Sequence, residues 1–215
     1  MNNITDPAIY EAWYHTPRGR WISDCEFSLL QHLLKPKTGE LLLDVGCGTG
    51  HFSRRFSRAG LSVTGIDPDS KAIGYAAKQG DGISYLHGNA SNLPFDTNRF
   101  EHTAAITSLC FVEDPIEALQ ELWRVTNHNL VLGLLNQQSL LYRQKHEYGS
   151  YRQARWDTAN KVRKEWLQRL TPIPDEIRIL SSVFLPQGND MARWVEKLIP
   201  NQLPWGGFLA VCIRK

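Results

Sequence analysis

The sequence has no long hydrophobic run: apolar stretches such as Leu41–Leu43 and Leu130–Leu132, with Leu134–Leu135 just beyond, fall far short of the ~20 residues a bilayer crossing needs. No membrane span is expected. Cysteine is scarce and scattered. Cys25, Cys47, Cys110 and Cys212 stand singly, with no CxxC and no Cys/His cluster, so neither a zinc site nor a disulfide framework is signalled, and reduced, mostly buried thiols are expected. No metal is expected. Charge of one sign is also lacking: 24 Lys and Arg against 22 Asp and Glu leave +2, with 42% hydrophobic residues, which excludes a disordered, collagen-like or coiled-coil chain. The amino-terminal Met-Asn-Asn-Ile-Thr-Asp-Pro has neither the basic start and apolar stretch of a secretory leader nor the Arg/Ser-rich character of a transit peptide, so cytoplasm is the expected compartment. What remains, 215 residues, suffices for one substantial α/β domain and not for two ordinary ones, so residues 1–215 are expected to form a single domain.

From about residue 40, short Val- and Ile-rich runs alternate with helical patterns, the form taken by repeated βαβ units around a buried parallel sheet. The pattern predicts strands at Leu41–Val45, Ser62–Asp67, Ser84–His87, Thr103–Ile106 and Leu130–Leu135, with helices near His51–Ala59, Ser70–Gln79 and Pro115–Arg124. Gly60 and Gly80 supply helix stops, and Asn127 or Asn129 is expected to close the third helix in the left-handed conformation. Asp114 reads as an N-cap with Pro115 at the first helical position. Two stretches lie outside the repeat. Residues 1–35 carry Tyr10, Trp13, Tyr14, His15, Arg18, Arg20 and Trp21 before a predicted helix at Ser23–Leu34. Residues 136–175 are polar and basic, and are followed by a predicted strand at Ile177–Leu185, a helix near Asp190–Leu198 and a strand around Phe208–Ile213.

The strongest local signal is Leu41-Leu42-Leu43-Asp44-Val45-Gly46-Cys47-Gly48-Thr49-Gly50-His51, an apolar strand ending in a glycine-rich turn that opens a helix. Such a turn lets a ligand approach the backbone, and in parallel α/β sheets ligands sit beyond the carboxyl ends of the strands. A dinucleotide fingerprint requires GxGxxG, but His51 holds the third-glycine position, and Asp44 would repel a pyrophosphate. No Gly-Lys-Ser/Thr follows to make a P-loop. A carboxylate suits a cationic ligand, and S-adenosylmethionine offers an ammonium and a sulfonium, the former within reach of Asp44 directly or through water. The next strand ends at Gly65-Ile66-Asp67-Pro68-Asp69, placing Asp67 at the spacing where a carboxylate meets ribose hydroxyls. The competing assignment for Asp67 is a cap on the following helix.

Taken together with Gly88-Asn89-Ala90-Ser91-Asn92-Leu93-Pro94-Phe95, Phe100, and Ser108-Leu109-Cys110-Phe111-Val112-Glu113-Asp114-Pro115, these blocks resemble the class I S-adenosylmethionine-dependent methyltransferases. The similarity is to the type 11, ubiquinone/menaquinone-biosynthesis-like branch and spans residues 40–135. It implies a Rossmann-like, doubly wound seven-stranded sheet, mostly parallel with the last strand antiparallel, and helices on both faces. It also implies S-adenosyl-L-methionine as cofactor and S-adenosyl-L-homocysteine as product. By this resemblance Asp44, Gly46, Cys47, Gly48 and Gly50 hold the methionine end and Asp67 the ribose. Pro68, Asn89, Ala90 and Ser91 lie at the adenine, and Thr107 near the sulfur. Many relatives carry Asp where this chain has Asn89, whose amide oxygen can still accept from the adenine amine.

The resemblance further implies a lid from residues 1–35, with Tyr14 over the cofactor and Arg18 or Arg20 pairing with its carboxylate. It implies an acceptor pocket shaped by residues 136–175, which hold Tyr142, Tyr148, Tyr151, Arg152, Arg155 and Trp156. Methyl transfer from a sulfonium needs no metal or covalent intermediate. Where the acceptor must lose a proton, His15, Tyr14 and His146 are the leading candidates to take it, with Tyr10, His51 and Glu113 behind them. His51 is otherwise expected to face solvent. A small-molecule acceptor is expected. The basic segment 143–169 leaves open an RNA or protein acceptor, although no NPPY-like motif is present, and a non-catalytic S-adenosylmethionine-binding regulator would keep the same loop.

Overall fold

The computed structural model describes residues 6–215. The first five residues, which belong to the expected lid and to the stretch read for a leader, lie outside the described residues. Two helices come first, α1 (Pro7–His15) and α2 (Pro17–Leu34), each opened by a side-chain cap, Asp6 or Thr16, followed by proline. The expected single helix at Ser23–Leu34 is therefore too short. The Asp-Pro and Thr-Pro pairs are N-cap and first-turn signals that carried this information.

The repeat then runs β1 (Leu41–Val45), α3 (His51–Arg58), β2 (Ser62–Asp67), α4 (Ser70–Ala77), β3 (Ser84–His87), β4 (Phe100–Ile106), α5 (Pro115–Val125) and β5 (Thr126–Leu135). Next come α6 (Leu140–Lys145), a short helical run α7 (Ala159–Lys161) prolonged by a π-helical turn at Val162–Trp166, then β6 (Glu176–Ser182), α8 (Asp190–Leu198) and β7 (Phe208–Arg214). The strands form one seven-stranded sheet in the order β3-β2-β1-β4-β5-β7-β6. All neighbours from β3 to β5 pair in parallel, while β7 runs antiparallel to both β5 and β6. This is the doubly wound sheet expected, with the last strand reversed.

Gly60 and Gly80 end their helices with φ +97° and +65°. The third helix ends differently. α5 passes directly into β5 through Thr126 in extended conformation, so neither Asn127 nor Asn129 takes the left-handed cap. The Thr126 hydroxyl lies 2.6 Å from the Leu122 carbonyl and 2.8 Å from the Thr103 hydroxyl, satisfying the helix end while a β-branched residue starts the strand. β6 stops at Ser182, short of the expected Leu185, because Val183 turns to φ +65°. The Glu196 carboxylate holds that strained turn by accepting from the amides of Val183 and Phe184 at 2.6 and 2.8 Å.

One face of the sheet packs against α5 and the Val162–Leu170 region, with Trp123, Leu122 and Trp166 at its centre. The other packs against α2 and α3 through Phe27, Leu30, Phe52 and Phe56. Cys47, Cys110 and Cys212 are buried, Cys25 is partly so, and all four are free. Among the described residues no helix is long and apolar enough to cross a membrane. Strand order reverses between β1 and β4, which both leave the sheet at the same rim; this is where a parallel α/β sheet opens a ligand crevice.

Candidate cofactor and acceptor site

The loop after β1 is shaped by close approach. A Cβ on Gly46 would lie 2.2 Å from the Ser108 Cβ, and Gly46 has φ +73°, so no other residue fits there. Ser108 locks the two loops by donating its hydroxyl to the Val45 carbonyl at 2.8 Å. Thr107, beside it at φ +49°, donates its amide to Gly133 of β5 at 2.8 Å. Gly48 is the opposite case: at φ +53°, its Cβ position faces open space with nothing within 4 Å.

Asp67 braces this loop from the end of β2. One carboxylate oxygen accepts from the Gly48 amide and the other from the Asp69 amide, both at 2.8 Å. Each oxygen keeps a lone pair for a further donor, such as one of two adjacent hydroxyls. The cap on α4 is Asp69, which accepts from Lys71 and Ala72, so the competing assignment of Asp67 as a helix cap does not hold. Burial raises the Asp67 pKa, against the pull of its two backbone donors.

Asp44 is placed otherwise than expected for a group meeting an ammonium. It is 1% exposed and accepts from the Ser53 hydroxyl at 2.5 Å, fastening the start of α3 beneath the loop. Burial pushes its carboxyl up to about 7. On the far side of the rim, the Pro68 carbonyl lies 3.0 Å from the His87 ring. The Asn89 amide oxygen, expected to meet adenine, accepts here from the Ser91 amide at 3.1 Å and closes its own turn. Ala90 packs against the core beside it.

Helix α1 lies over the glycine loop through a buried polar cluster that the sequence did not announce. Glu11, 5% exposed, accepts from the Thr49 hydroxyl at 2.5 Å and from Arg54 at 2.5 Å, with the His51 ring at 3.5 Å. Arg54 also donates to the Thr49 carbonyl at 2.8 Å. Burial alone would raise the Glu11 pKa, but hydrogen bonds from His51 and Thr49 and the Arg54 charge outweigh it and hold the carboxyl at about 2. His51 does not face solvent as expected. It stacks on Tyr14 at 3.6 Å and 8°, lies 2.7 Å from the Ser23 hydroxyl, and has its pKa lowered, chiefly by burial.

Other candidates separate. His15 is exposed at the end of α1 and Glu113 is exposed beyond the β4 loop. The His146 ring lies 2.7 Å from the Tyr142 carbonyl and stacks on that residue at 4.3 Å. Arg18 donates Nε to the Pro186 carbonyl at 2.6 Å, binding α2 to the turn after β6, and among the described residues its two terminal nitrogens have no hydrogen-bond partner. Arg20 is exposed. In the 136–175 segment, Arg155 is a structural clamp. It donates to the Leu109 and Val112 carbonyls at 2.7 and 3.2 Å and to Asp157 at 3.1 Å, and lies over the Trp166 ring. This clamp brings Tyr151 and Trp156 against Cys110, next to the β4 loop.

Comparison with known proteins shows what the chain resembles. Residues 43–132 match the family model described as a methyltransferase domain. The matched span is less than half of the 215-residue chain. A malonyl-[acyl-carrier protein] O-methyltransferase of Pectobacterium atrosepticum is 35% identical over 101 residues, 47% of this chain and 40% of that protein. A demethylmenaquinone methyltransferase of Paenarthrobacter aurescens is 33% identical over 90 residues, 42% and 36%. The chain thus spans less than half the length of these curated relatives. In fold, it is similar to a Thermotoga maritima S-adenosylmethionine-dependent methyltransferase described as a possible histamine N-methyltransferase, at TM-score 0.78 and 22% identity over 97% of this chain and 95% of that one. A Haemonchus contortus phosphoethanolamine N-methyltransferase 2, solved with S-adenosyl-L-methionine, follows at TM-score 0.65 and 17% identity over 88% and 52%. The span matched by the methyltransferase family model holds the glycine loop, Asp67 and Ser108.

Proposed function

We infer that the protein transfers a methyl group from S-adenosylmethionine to a small-molecule acceptor, as one domain in which α1 and α2 form the cover and residues 136–175 wall the acceptor side. The observation that carries this reading is the pairing of Asp67 with the Gly48 amide beside open space. A carboxylate with free lone pairs next to a ligand-accepting backbone, beyond parallel strand ends, fits a ribose and an amino-acid tail.

Bound there, the cofactor supplies an electrophilic methyl on a good leaving group. The chain's part is to bind, align and exclude water. Asp67 receives the ribose hydroxyls. Gly46, Cys47, Gly48 and Gly50 line the methionine end, with Asp44 acting through α3. Pro68, Asn89, Ala90 and Ser91 flank the adenine, and Thr107 with Ser108 sets the floor near the sulfur. The cover, held by Glu11 and Arg54, shields this space, with Tyr14 above the loop and the terminal nitrogens of Arg18, which have no partner among the described residues, available to a carboxylate. A relative named for demethylmenaquinone supports a small acceptor. Arg155 and Lys161 are both spent on Asp157, which weakens the basic segment as a nucleic-acid surface.

Calorimetric titration with S-adenosylmethionine, S-adenosylhomocysteine and NAD tests the reading. Micromolar binding of the first two and silence from NAD is the expected result. NAD binding, or no binding by either adenosyl compound, would overturn it.

A further inference from the structure

The rim of the sheet opposite the glycine loop holds a cavity of about 580 Å³, within the roughly 300–1,000 Å³ of small-molecule sites. It lies at the amino-terminal ends of β1, β4, β5 and β6, against the carboxyl end of α2. Leu33, Leu34 and Lys35 form one wall. The helix ends there because Pro36 disfavours a helical Lys35, which instead turns to φ +46° and donates its amide to the Gln31 carbonyl at 2.9 Å. A polar row of the sheet forms another wall. Cross-strand register places His102 beside Asn129, Asn129 beside Arg214, and Arg214 beside Glu176, so the four share one face.

The acidic side chains of this cavity are committed. Glu40 accepts from the Lys37 amide at 2.7 Å and from His102 Nε2 at 2.9 Å. His102 is buried, and its Nδ1 lies 3.4 Å from the Asn129 side-chain nitrogen, which fits the neutral tautomer with its hydrogen on Nε2. Glu176 pairs with Arg214 at 3.5 Å. The cations are less committed. Among the described residues, the side chains of Lys35, Lys37 and Arg178, all three in the lining, have no hydrogen-bond or ion-pair partner. Lys215 differs from them: its ammonium is spent on the Asn98 side chain and on the Trp123 and Thr126 carbonyls. The carboxyl end of α2 adds only about half a negative charge, small against three full positive ones.

Unpaired cations around a concave polar space match a ligand with several negative oxygens. We propose that this cavity binds a small polyanion, a metabolite bearing two or more phosphate or carboxylate groups, held by Lys35, Lys37 and Arg178. Arg178, half-buried on β6, supplies a planar fork of donors, and the two exposed lysines act as point charges. A nucleic acid fits less well, because its phosphates follow an extended backbone and the cations here surround a cavity. The site is separate from the cofactor crevice. The five residues of β1 stand between them, a distance of roughly 17 Å. A ligand there ties the end of α2 to β6, two elements far apart in the chain.

The test is calorimetry at low ionic strength on the full chain and on the double variant Lys37→Gln/Arg178→Gln. The probes are pyrophosphate, citrate and an RNA oligonucleotide, each with and without saturating S-adenosylhomocysteine. The expected result is one site for pyrophosphate or citrate on the wild-type protein, at least tenfold weaker on the variant and unchanged by S-adenosylhomocysteine. Preference for pyrophosphate assigns a phosphorylated ligand, and preference for citrate a polycarboxylate. Lys35→Gly removes a charge and suits the left-handed turn, so it should weaken anion binding without lowering the melting temperature, a check that holds even if the double variant does not fold. Silence from both small anions, equal affinities in wild type and variants, or displacement of the anion by S-adenosylhomocysteine would overturn the proposal. So would an RNA oligonucleotide that binds more tightly than either anion and competes with it. The variant comparison stands whether or not S-adenosylhomocysteine binds, so failure of that compound to bind bears on the methyltransferase reading alone.

Discussion

Between β1 and β4 the rim is held by contacts near in sequence or across neighbouring strands: Asp67 to Gly48 and Asp69, Ser53 to Asp44, Ser108 to Val45. The cover and the acceptor wall are held by contacts from far away in the chain. Glu11 reaches Thr49 and Arg54, Arg18 reaches Pro186, and Arg155 reaches back to Leu109. The first region is rigid through backbone geometry and sheet register. The second depends on a few buried charged groups, each of which must find its partner. A site built this way has a fixed floor and a roof whose attachment is concentrated in single side chains, and the two should respond differently to substitution.

The sharpest break should come at Glu11. Glu11→Ala leaves the Arg54 guanidinium, with 10% of its side chain exposed, without its carboxylate, and removing one partner of a buried ion pair costs about 3–5 kcal/mol. Urea denaturation should show that loss, and an unchanged midpoint would mean the cover merely rests on the loop. The same group sets an acid limb. Its folded pKa, about 2, lies below the ordinary 4.5, so its stabilisation is complete above the ordinary value and is lost as pH falls from about 5 toward 2. Thermal melts across that range should drop more steeply for the wild-type protein than for Glu11→Gln. A floor substitution should act on binding: Asp67→Ala is expected to weaken S-adenosylmethionine by about 1.5–3 kcal/mol, the scale for a charged hydrogen-bonding partner, read by calorimetry. The smallest effect belongs to His15→Ala, an exposed helix-end substitution expected to stay within about 0.5 kcal/mol in stability and to leave methyl transfer unaltered in a labelled-donor assay.

Much of the floor was legible. The Leu41–Gly50 run and the spacing to Asp67 are local patterns with local physical causes, and β1, β2 and β3 lie within their expected bounds, while β4 and β5 begin earlier, at Phe100 and Thr126 instead of Thr103 and Leu130. Boundaries moved where a neighbour decided them, as at Thr126, which needs Thr103 beside it, and at Val183, which needs Glu196. The cover was legible as aromatic and basic but not as wired. Nothing in Tyr-Glu-Ala-Trp-Tyr marks Glu11 as buried, because an acidic residue among aromatics on a short helix reads equally well as solvated. Composition alone cannot tell a buried clamp such as Arg155 from a free cation.

The sequence by itself determined the doubly wound sheet, the glycine loop and the acid after β2, since strand periodicity, glycine conformation and short-range capping act within a few residues. Only the tertiary structure decided which charged groups are spent on the fold and which remain for a ligand. Burial and pairing are properties of the surroundings: Asp44 is turned onto Ser53, Asn89 onto Ser91 and Arg155 onto the β4 loop, by elements that meet there only once the chain has folded.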